Sequence, residues 1–476
     1  MYFDGLSCQN KLENPAHRPF SKAQESLWTL ALKVRPKLAN TPFSNVTVIK
    51  TLYGSYNVVY IIKFEDEKKF VFRVPIDTNK GHLSETAQRS MISQVQTMHF
   101  IRQNTSIPIP EIYSFNPSKD PIIGTPYIAM SFIEGEPVCS LWLEDTGPTP
   151  QEERRQRILI SIAQAMAQLH AFSFDKIGSL RFTGKPKAGA VTIEPCYGWS
   201  TTNPKPPGCP NPRCLAFQNP ERDINKACSG CGVVASSSAT SEVASDSDEH
   251  VFIDGAKQSL FLKEIGPFQC SREYFKAAMY CFGGNPKLPI PRLTGKVLET
   301  IIDCLPLPQS PERETFVLSP PDFNSQNIMA DENGNVTGFI DWDNVHTVPR
   351  QIGYCRYPGW ITRDWDSNTY ENNQFHPLAD PPELLTAYRA LYRQTINGLL
   401  GPEQDQIIRQ TLVFGAIEKA IIDDISRGAI VRNLLRKGLS VSLKEAYRMI
   451  PDVEEWTERT KEQLKDGLQR VLNDCM

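Results

Sequence analysis

Between residues 46 and 75 the apolar side chains come in β-rich runs broken by turns. NVTVIKTLY leads into GSYN, VVYIIKF follows, the charged turn EDEKK intervenes, and FVFRVPI closes the set. Runs of β-branched and aromatic residues bounded by turn residues predict three short antiparallel strands in sequence. The period changes at 84–104, SETAQRSMISQVQTMHFIRQN, where Met91, Val95, Met98 and Ile101, with Ile92 beside them, recur at helical spacing. Ser84 stands where an N-cap belongs. Prolines in IPIPEIYSF bar further helix, and PYIAMSFIEG is another strand run. Five strands and one helix would make a compact unit of domain size over 46–135.

From 136 to 476 the helical period dominates. Residues 151–172, ending AQAMAQLHAF, predict a strongly amphipathic helix, and the chain from PELLTAYRALYRQTING to its end reads as helix throughout. Between these lies 315–341, which reads strand, loop, short strand, Gly turn, strand. A hairpin set among helices is unusual. The stretch 195–249 is rich in Pro, Ser, Asn and Gly and includes SSSATSEVASDSDEH, so it is expected to be a disordered insertion that buries too little apolar surface to offset its ordering entropy. Residues 1–45 precede the strands as an N-terminal helical extension.

Bulk properties narrow the function. With 476 residues, 40% hydrophobic and 22% charged, the chain has the make-up of a soluble protein of two or more domains. A formal net charge of -3 provides no basic footprint for nucleic acid or an anionic membrane. No segment reaches the roughly 18 apolar residues needed to cross a bilayer. MYFDGLSCQNKLENP carries an early Asp and no apolar core, which excludes a secretory signal and implies a cytoplasmic protein. Its twelve cysteines are expected as free thiols. Cys209, Cys214, Cys228 and Cys231 have a spacing that structural zinc takes, although the polar serine tail after Cys231 favours a disordered segment that happens to carry thiols.

The chemistry concentrates in LSPPDFNSQNIMADENGNVTGFIDWDN, residues 318–344. Asp322 and Asn327 share a loop that enters the strand NIMA. A turn at Glu332, Asn333 and Gly334 then leads into VTGFID, which ends at Asp341. Such a hairpin brings Asp341 beside the loop of Asp322 and Asn327. Phosphoryl transfer asks for that trio: one carboxylate to orient a hydroxyl and take its proton, and oxygen ligands to hold Mg²⁺ against phosphates.

D-x-x-x-x-N followed across a hairpin by D-W-D resembles the catalytic and metal-binding block of the aminoglycoside phosphotransferase family. RYPGW and TRDWD, within 356–366, resemble its branch common in filamentous fungi, and the likeness runs from about 46 to 366. The resemblance implies an α+β, two-lobed protein-kinase-like fold, with a small five-stranded antiparallel N-lobe and a mostly helical C-lobe. It further implies ATP and Mg²⁺, with Asp322 as catalytic base and Asn327 and Asp341 as metal ligands. Asp343 is a secondary metal candidate, since strand alternation would put it on the side of Asp341. Gly54, Ser55, Tyr56 and Asn57 correspond to the phosphate-covering loop, Arg73 to the phosphate-contacting lysine, and Met130 to Phe132 to the hinge that meets adenine.

Three positions depart from the family pattern. Pro320 stands where a bracing His is usual, Arg73 replaces Lys, and Gln94 replaces the helix Glu that pairs with that cation. All three bear on preorganisation rather than on the base or the metal ligands. The reading is an ATP-dependent phosphotransferase acting on a hydroxyl of a small molecule. The alternative is a catalytically impaired relative that binds nucleotide or a partner. A protein kinase is disfavoured because no activation-loop element follows Asp341. Residues 351–476 hold 18 acids and 16 bases, no strongly acidic surface for a polycationic aminoglycoside.

Overall fold

The computed structural model describes residues 23–35, 46–54, 56–76, 81–184, 191–200, 250–253, 256–259, 261–282, 289–308, 314–366 and 380–474. The chain divides into two units, Met1–Gly198 with Leu262–Met476, and Trp199–Phe261. The smaller unit contains an antiparallel hairpin, His250–Ile253 with Ala256–Ser259, in register from His250↔Ser259 to Ile253↔Ala256. Cys209, Cys214, Cys228, Cys231 and Ser55 lie outside the described residues. Cys196–Ser200 forms a strand with Cys196 and Tyr197 buried, so regular structure continues past 195, where composition had started the insertion.

In the larger unit the β-rich runs form one antiparallel sheet. Its strands are β1 (Val46–Tyr53), β2 (Asn57–Phe64), β3 (Lys69–Pro75), β4 (Ile112–Asn116) and β5 (Tyr127–Ser131), in the order β1-β2-β3-β5-β4. Alternation sorts its two faces. Phe70, Phe72 and Val74 of β3 and Val58, Tyr60, Ile62 and Phe64 of β2 are buried together on one face. Helix α1 (Ala23–Val34) covers them with Leu27, Leu30 and Ala31, which makes the N-terminal helix a part of this core. The intervening positions, Asn57 and Arg73 among them, point to the opposite face.

On that face α2 (Glu85–Asn104) starts at Ser84, whose hydroxyl accepts from the Ala87 amide. Met91, Val95, Met98 and Ile101 enter a second, larger core that runs on into the helical lobe. Ser90 and Gln94, one turn apart, are also buried and are polar. The helical lobe includes Gln151–Ala167, Pro382–Leu400, Asp405–Ile422, Asp424–Leu439 and Glu458–Asp474. The predicted helix over 151–172 stops as α-helix at Ala167 and tightens to a 3₁₀ turn, in which His170 Nδ1 lies 2.6 Å from the Tyr354 hydroxyl.

The hairpin of the chemical motif pairs Ile328–Ala330 with Val336–Phe339, Ile328 opposite Phe339. Its turn passes so close to the helix Gln151–Ala167 that a Cβ at Gly334 (φ +89°) would lie 2.5 Å from the Arg154 carbonyl oxygen. Only glycine suits both that backbone and that approach.

Candidate active site

Asp322 lies between the strand Phe316–Leu318 and a 3₁₀ turn at Ser325–Asn327. Its carboxylate is held on both oxygens: Asn324 Nδ2 donates to Oδ1 at 2.8 Å, Asn327 Nδ2 to Oδ2 at 2.9 Å and Gln326 Nε2 to Oδ2 at 3.3 Å. Asn327 therefore spends its amide nitrogen on Asp322, and its amide oxygen is directed elsewhere. The Ile340 amide donates to the Asn327 carbonyl at 2.8 Å, which ties the Asp322 loop to the end of the hairpin. Burial raises the pKa of Asp322 above its ordinary value; Asn324 opposes this, the charge of Asp341 adds to it, and Asn327 and Arg356 oppose it. Asp341 is thus near enough for its charge to act on Asp322.

Asp341 does not continue the strand. The ladder ends at Phe339, Asp341 takes φ +63° and Asn344 φ +58°. Aspartate and asparagine tolerate that left-handed backbone better than other chiral residues. Trp342 between the carboxylates is 1% exposed and donates Nε1–H to the Phe339 carbonyl at 2.9 Å. Asp341 and Asp343 thus reach the same cation through a turn anchored by a buried indole, where strand alternation had been expected to align them.

That cation is Arg73. Its Nη1 donates to Asp343 Oδ1 at 2.9 Å, and its Nη2 donates to Asp343 Oδ2 at 2.8 Å and Asp341 Oδ1 at 3.0 Å. Burial opposes the guanidinium charge, but Asp343 and then Asp341 outweigh it and raise its proton affinity. Gln94 does not bond Arg73. Its Nε2 donates to Asp343 Oδ1 at 2.7 Å, and Asn57 Nδ2 donates to Asp343 Oδ2 at 3.0 Å. One turn earlier on α2, the Ser90 hydroxyl donates to Asn344 Oδ1 at 2.9 Å. The buried polar pair on α2 is therefore the seat of the 343–344 turn.

The β1–β2 connection lies over the same cluster. The Gly54 amide donates to the Asn57 carbonyl at 2.9 Å, and the Tyr56 hydroxyl is pushed up to about 12 by burial and by the charges of Asp341 and Asp343. Met130 belongs to the core, on β5 between Val71 and Ile112. The Phe132 amide donates to the Lys69 carbonyl at 3.3 Å, and Lys69 Nζ stands 4.7 Å from the Phe132 ring centre.

One support was not foreseen. Arg356 Nη2 donates to the Pro320 carbonyl at 2.5 Å and to the Pro321 carbonyl at 3.4 Å, while Nη1 meets Glu418 Oε2 at 2.8 Å. Where a histidine brace is missing, an arginine from RYPGW holds the loop from below. Burial raises the Glu418 pKa, Arg356 lowers it, and Asp322 raises it. Tyr357, Trp360 and Trp365 are buried and pin this segment to the core. An arginine set inside a run of aromatics was the available signal.

Mg²⁺ is usually held by one or two carboxylates together with substrate phosphates, and Asn327 and Asp341 carry oxygen donors of the type it could take. Among the described residues, no cluster of three or more His, Cys, Asp or Glu offers an all-protein metal site. Cys196, Cys270, Cys281, Cys304 and Cys355 are free thiols. No described helix is long and apolar enough to cross a membrane.

The model of the phosphotransferase enzyme family matches residues 52–192, which include the end of β1, the other four strands of the sheet and α2, and end before the Asp322 loop. A subtelomeric hrmA-associated cluster protein of Aspergillus fumigatus is 28% identical over 136 residues, covering 29% of this chain and 25% of that protein. Altered inheritance of mitochondria protein 9, mitochondrial, of Yarrowia lipolytica is 30% identical over 186 residues, 36% of this chain and 30% of that one. The matches thus span between about a quarter and a third of these relatives. Among solved structures, a putative fructosamine-3-kinase from Thermobifida fusca aligns over 90% of this chain and 99% of its own, at 10% identity and a TM-score of 0.41.

Proposed function

We propose that this chain, whose residues 52–192 match the model of the phosphotransferase enzyme family, transfers the γ-phosphate of ATP to a hydroxyl of a small molecule. One observation carries the reading. Arg73, from the sheet, and Asp341, at the end of the hairpin that follows the Asp322 loop, meet at 3.0 Å.

 Asp341 is at the same time within electrostatic reach of Asp322. In this reading a phosphate-holding cation, a carboxylate base and hard oxygen donors work side by side, and the Arg73–Asp341 pair together with the action of Asp341 on Asp322 supports it.

In this reading Asp322, oriented by Asn324 and Asn327, hydrogen-bonds the acceptor hydroxyl and takes its proton as the oxygen attacks. Asn327 and Asp341 supply the hard oxygen donors for Mg²⁺, whose charge would neutralise the phosphate oxygens. Arg73 and the backbone of the Gly54–Asn57 connection hold the phosphates. The adenine lies against the backbone around Met130 and Phe132. Catalysis here is positioning and charge stabilisation more than covalent chemistry.

A second reading has one observation in its favour. Arg73 bonds Asp341, so the phosphate cation and a metal ligand are engaged with each other. A protein that binds nucleotide without turnover would fit that state. The names of relatives such as the Yarrowia lipolytica protein make the mitochondrion the alternative to a cytoplasmic site of action, which cell fractionation would settle.

Thermal denaturation with Mg-ATP and a mass-gain screen of hydroxylated metabolites test both readings. A ligand at 100 times its dissociation constant stabilises by about 2.7 kcal/mol. Asp322→Asn is expected to keep the ATP-induced shift and lose turnover. Absence of any shift in the wild type would remove both readings, and loss of ATP binding in Asp322→Asn would mean that its role as base is misassigned.

A further inference from the structure

We infer that Asp343 is the counter-ion that positions Arg73 for nucleotide phosphate, a positioning residue and not a metal ligand, in the place that α2 leaves without a carboxylate. The inference rests on the reading that this cleft binds a nucleotide. Its basis is the saturation of one carboxylate. Asp343 Oδ1 accepts from Arg73 Nη1 at 2.9 Å and Gln94 Nε2 at 2.7 Å, and Oδ2 accepts from Arg73 Nη2 at 2.8 Å and Asn57 Nδ2 at 3.0 Å. A carboxylate has about four lone-pair sites in its plane, and all of them are taken. The donors come from β2, β3 and α2, so the carboxylate is fixed from three sides.

Asp341 differs on each count. It gives Oδ1 to a single bond from Arg73, and its side chain is 42% exposed against 26% for Asp343. The two carboxylates of Asp-Trp-Asp thus divide the work: the enclosed one grips the guanidinium in a fork, and the open one faces the cleft. Gln94 cannot balance the Arg73 charge, being neutral, and it serves instead by fixing Asp343. A guanidinium has five N–H donors, and the bonds named here occupy three, which leaves donors for phosphate while the fork is kept.

Calorimetric titration with ADP, with and without Mg²⁺, tests the assignment on wild type, Asp343→Asn and the double variant Asp343→Asn with Gln94→Glu. Asp343→Asn is expected to weaken metal-free ADP binding about tenfold, or about 1.4 kcal/mol, and to leave the enhancement by Mg²⁺ unchanged. The double variant returns a carboxylate to the neighbourhood of Arg73 from α2 and is expected to recover most of the loss. The proposal is overturned if Asp343→Asn abolishes the Mg²⁺ enhancement with metal-free ADP binding intact, or if the double variant recovers nothing. Should Asp343→Asn not fold, the double variant decides alone: wild-type ADP affinity and Mg²⁺ enhancement support the assignment, and failure to fold or loss of either one overturns it. A wild type that binds no ADP in either condition is a separate result, which removes the nucleotide reading itself.

Discussion

Replacing Arg356 by Met probes the least expected support of the site. The substitution keeps an apolar stem against Phe323, whose ring centre lies 5.7 Å from the guanidinium, but removes the donors to Pro320 and Pro321 and the partner of Glu418. The Arg356 side chain is 9% exposed and that of Glu418 22%. Removing one member of a buried ion pair costs about 3–5 kcal/mol. Glu418 is partly open to water and takes up a proton more readily than usual, so the low end, about 3 kcal/mol, applies. An unfolding entropy of about 2.1 cal/mol/K per residue over a unit of roughly 400 residues converts this to a fall in Tm of about 3–4 °C. The released loop carries Asp322, and a misplacement of about 1 Å can cost on the order of 100-fold in rate. Scanning calorimetry and steady-state kinetics are the assays, with kcat expected to fall while KM for ATP holds, because Arg356 bonds Pro320, Pro321 and Glu418 and none of Gly54, Asn57 or Arg73. A Tm within 1 °C of wild type (well inside the ~3 °C expected), or a lower Tm with unchanged kcat in the folded protein, would refute the loop-holding role.

Two further outcomes follow from the same region. The folded-state pKa of Glu418 is raised above its ordinary 4.5, so its contribution to stability is present below that value and is lost as pH rises through the elevated one. Glu418→Gln should therefore gain in Tm relative to wild type as pH rises from about 4.5 toward neutrality, and a gap that stays flat or closes would contradict the shift. A Cβ at Gly359 would stand 2.2 Å from Asn324 Oδ1, and Asn324 is a donor to Asp322. Gly359→Ala should cost about 1–3 kcal/mol by overpacking and lower kcat, whereas wild-type Tm and kcat would show that Asn324 can move without consequence.

Local order was legible in the sequence wherever a period governs it. Strict alternation in FVFRVPI puts Phe70, Phe72 and Val74 under α1 and so turns Arg73 the other way, before any tertiary contact is known. Helical spacing marked Met91, Val95, Met98 and Ile101 as one face, and Ser84 as its cap, because both depend on neighbours within a turn or two. The loop–hairpin order of Asp322, Asn327 and Asp341 was equally local, since a tight glycine turn leaves one way for the strands to pair.

Choice of partner was not. Arg73 and Asp343 are 270 residues apart, and Gln94 and Asp343 are 249. Gln94 was expected to stand beside Arg73, yet the turn at Asp341, with its left-handed backbone, slides Asp343 between them. Arg356 reaches Pro320 only because buried aromatics draw its segment under the loop. Periodicity tells which way a side chain points relative to its own element. Which charge waits there is set when the lobes dock, because burial makes an unpaired guanidinium or carboxylate costly and the nearest opposite charge in space, however distant in sequence, becomes its partner.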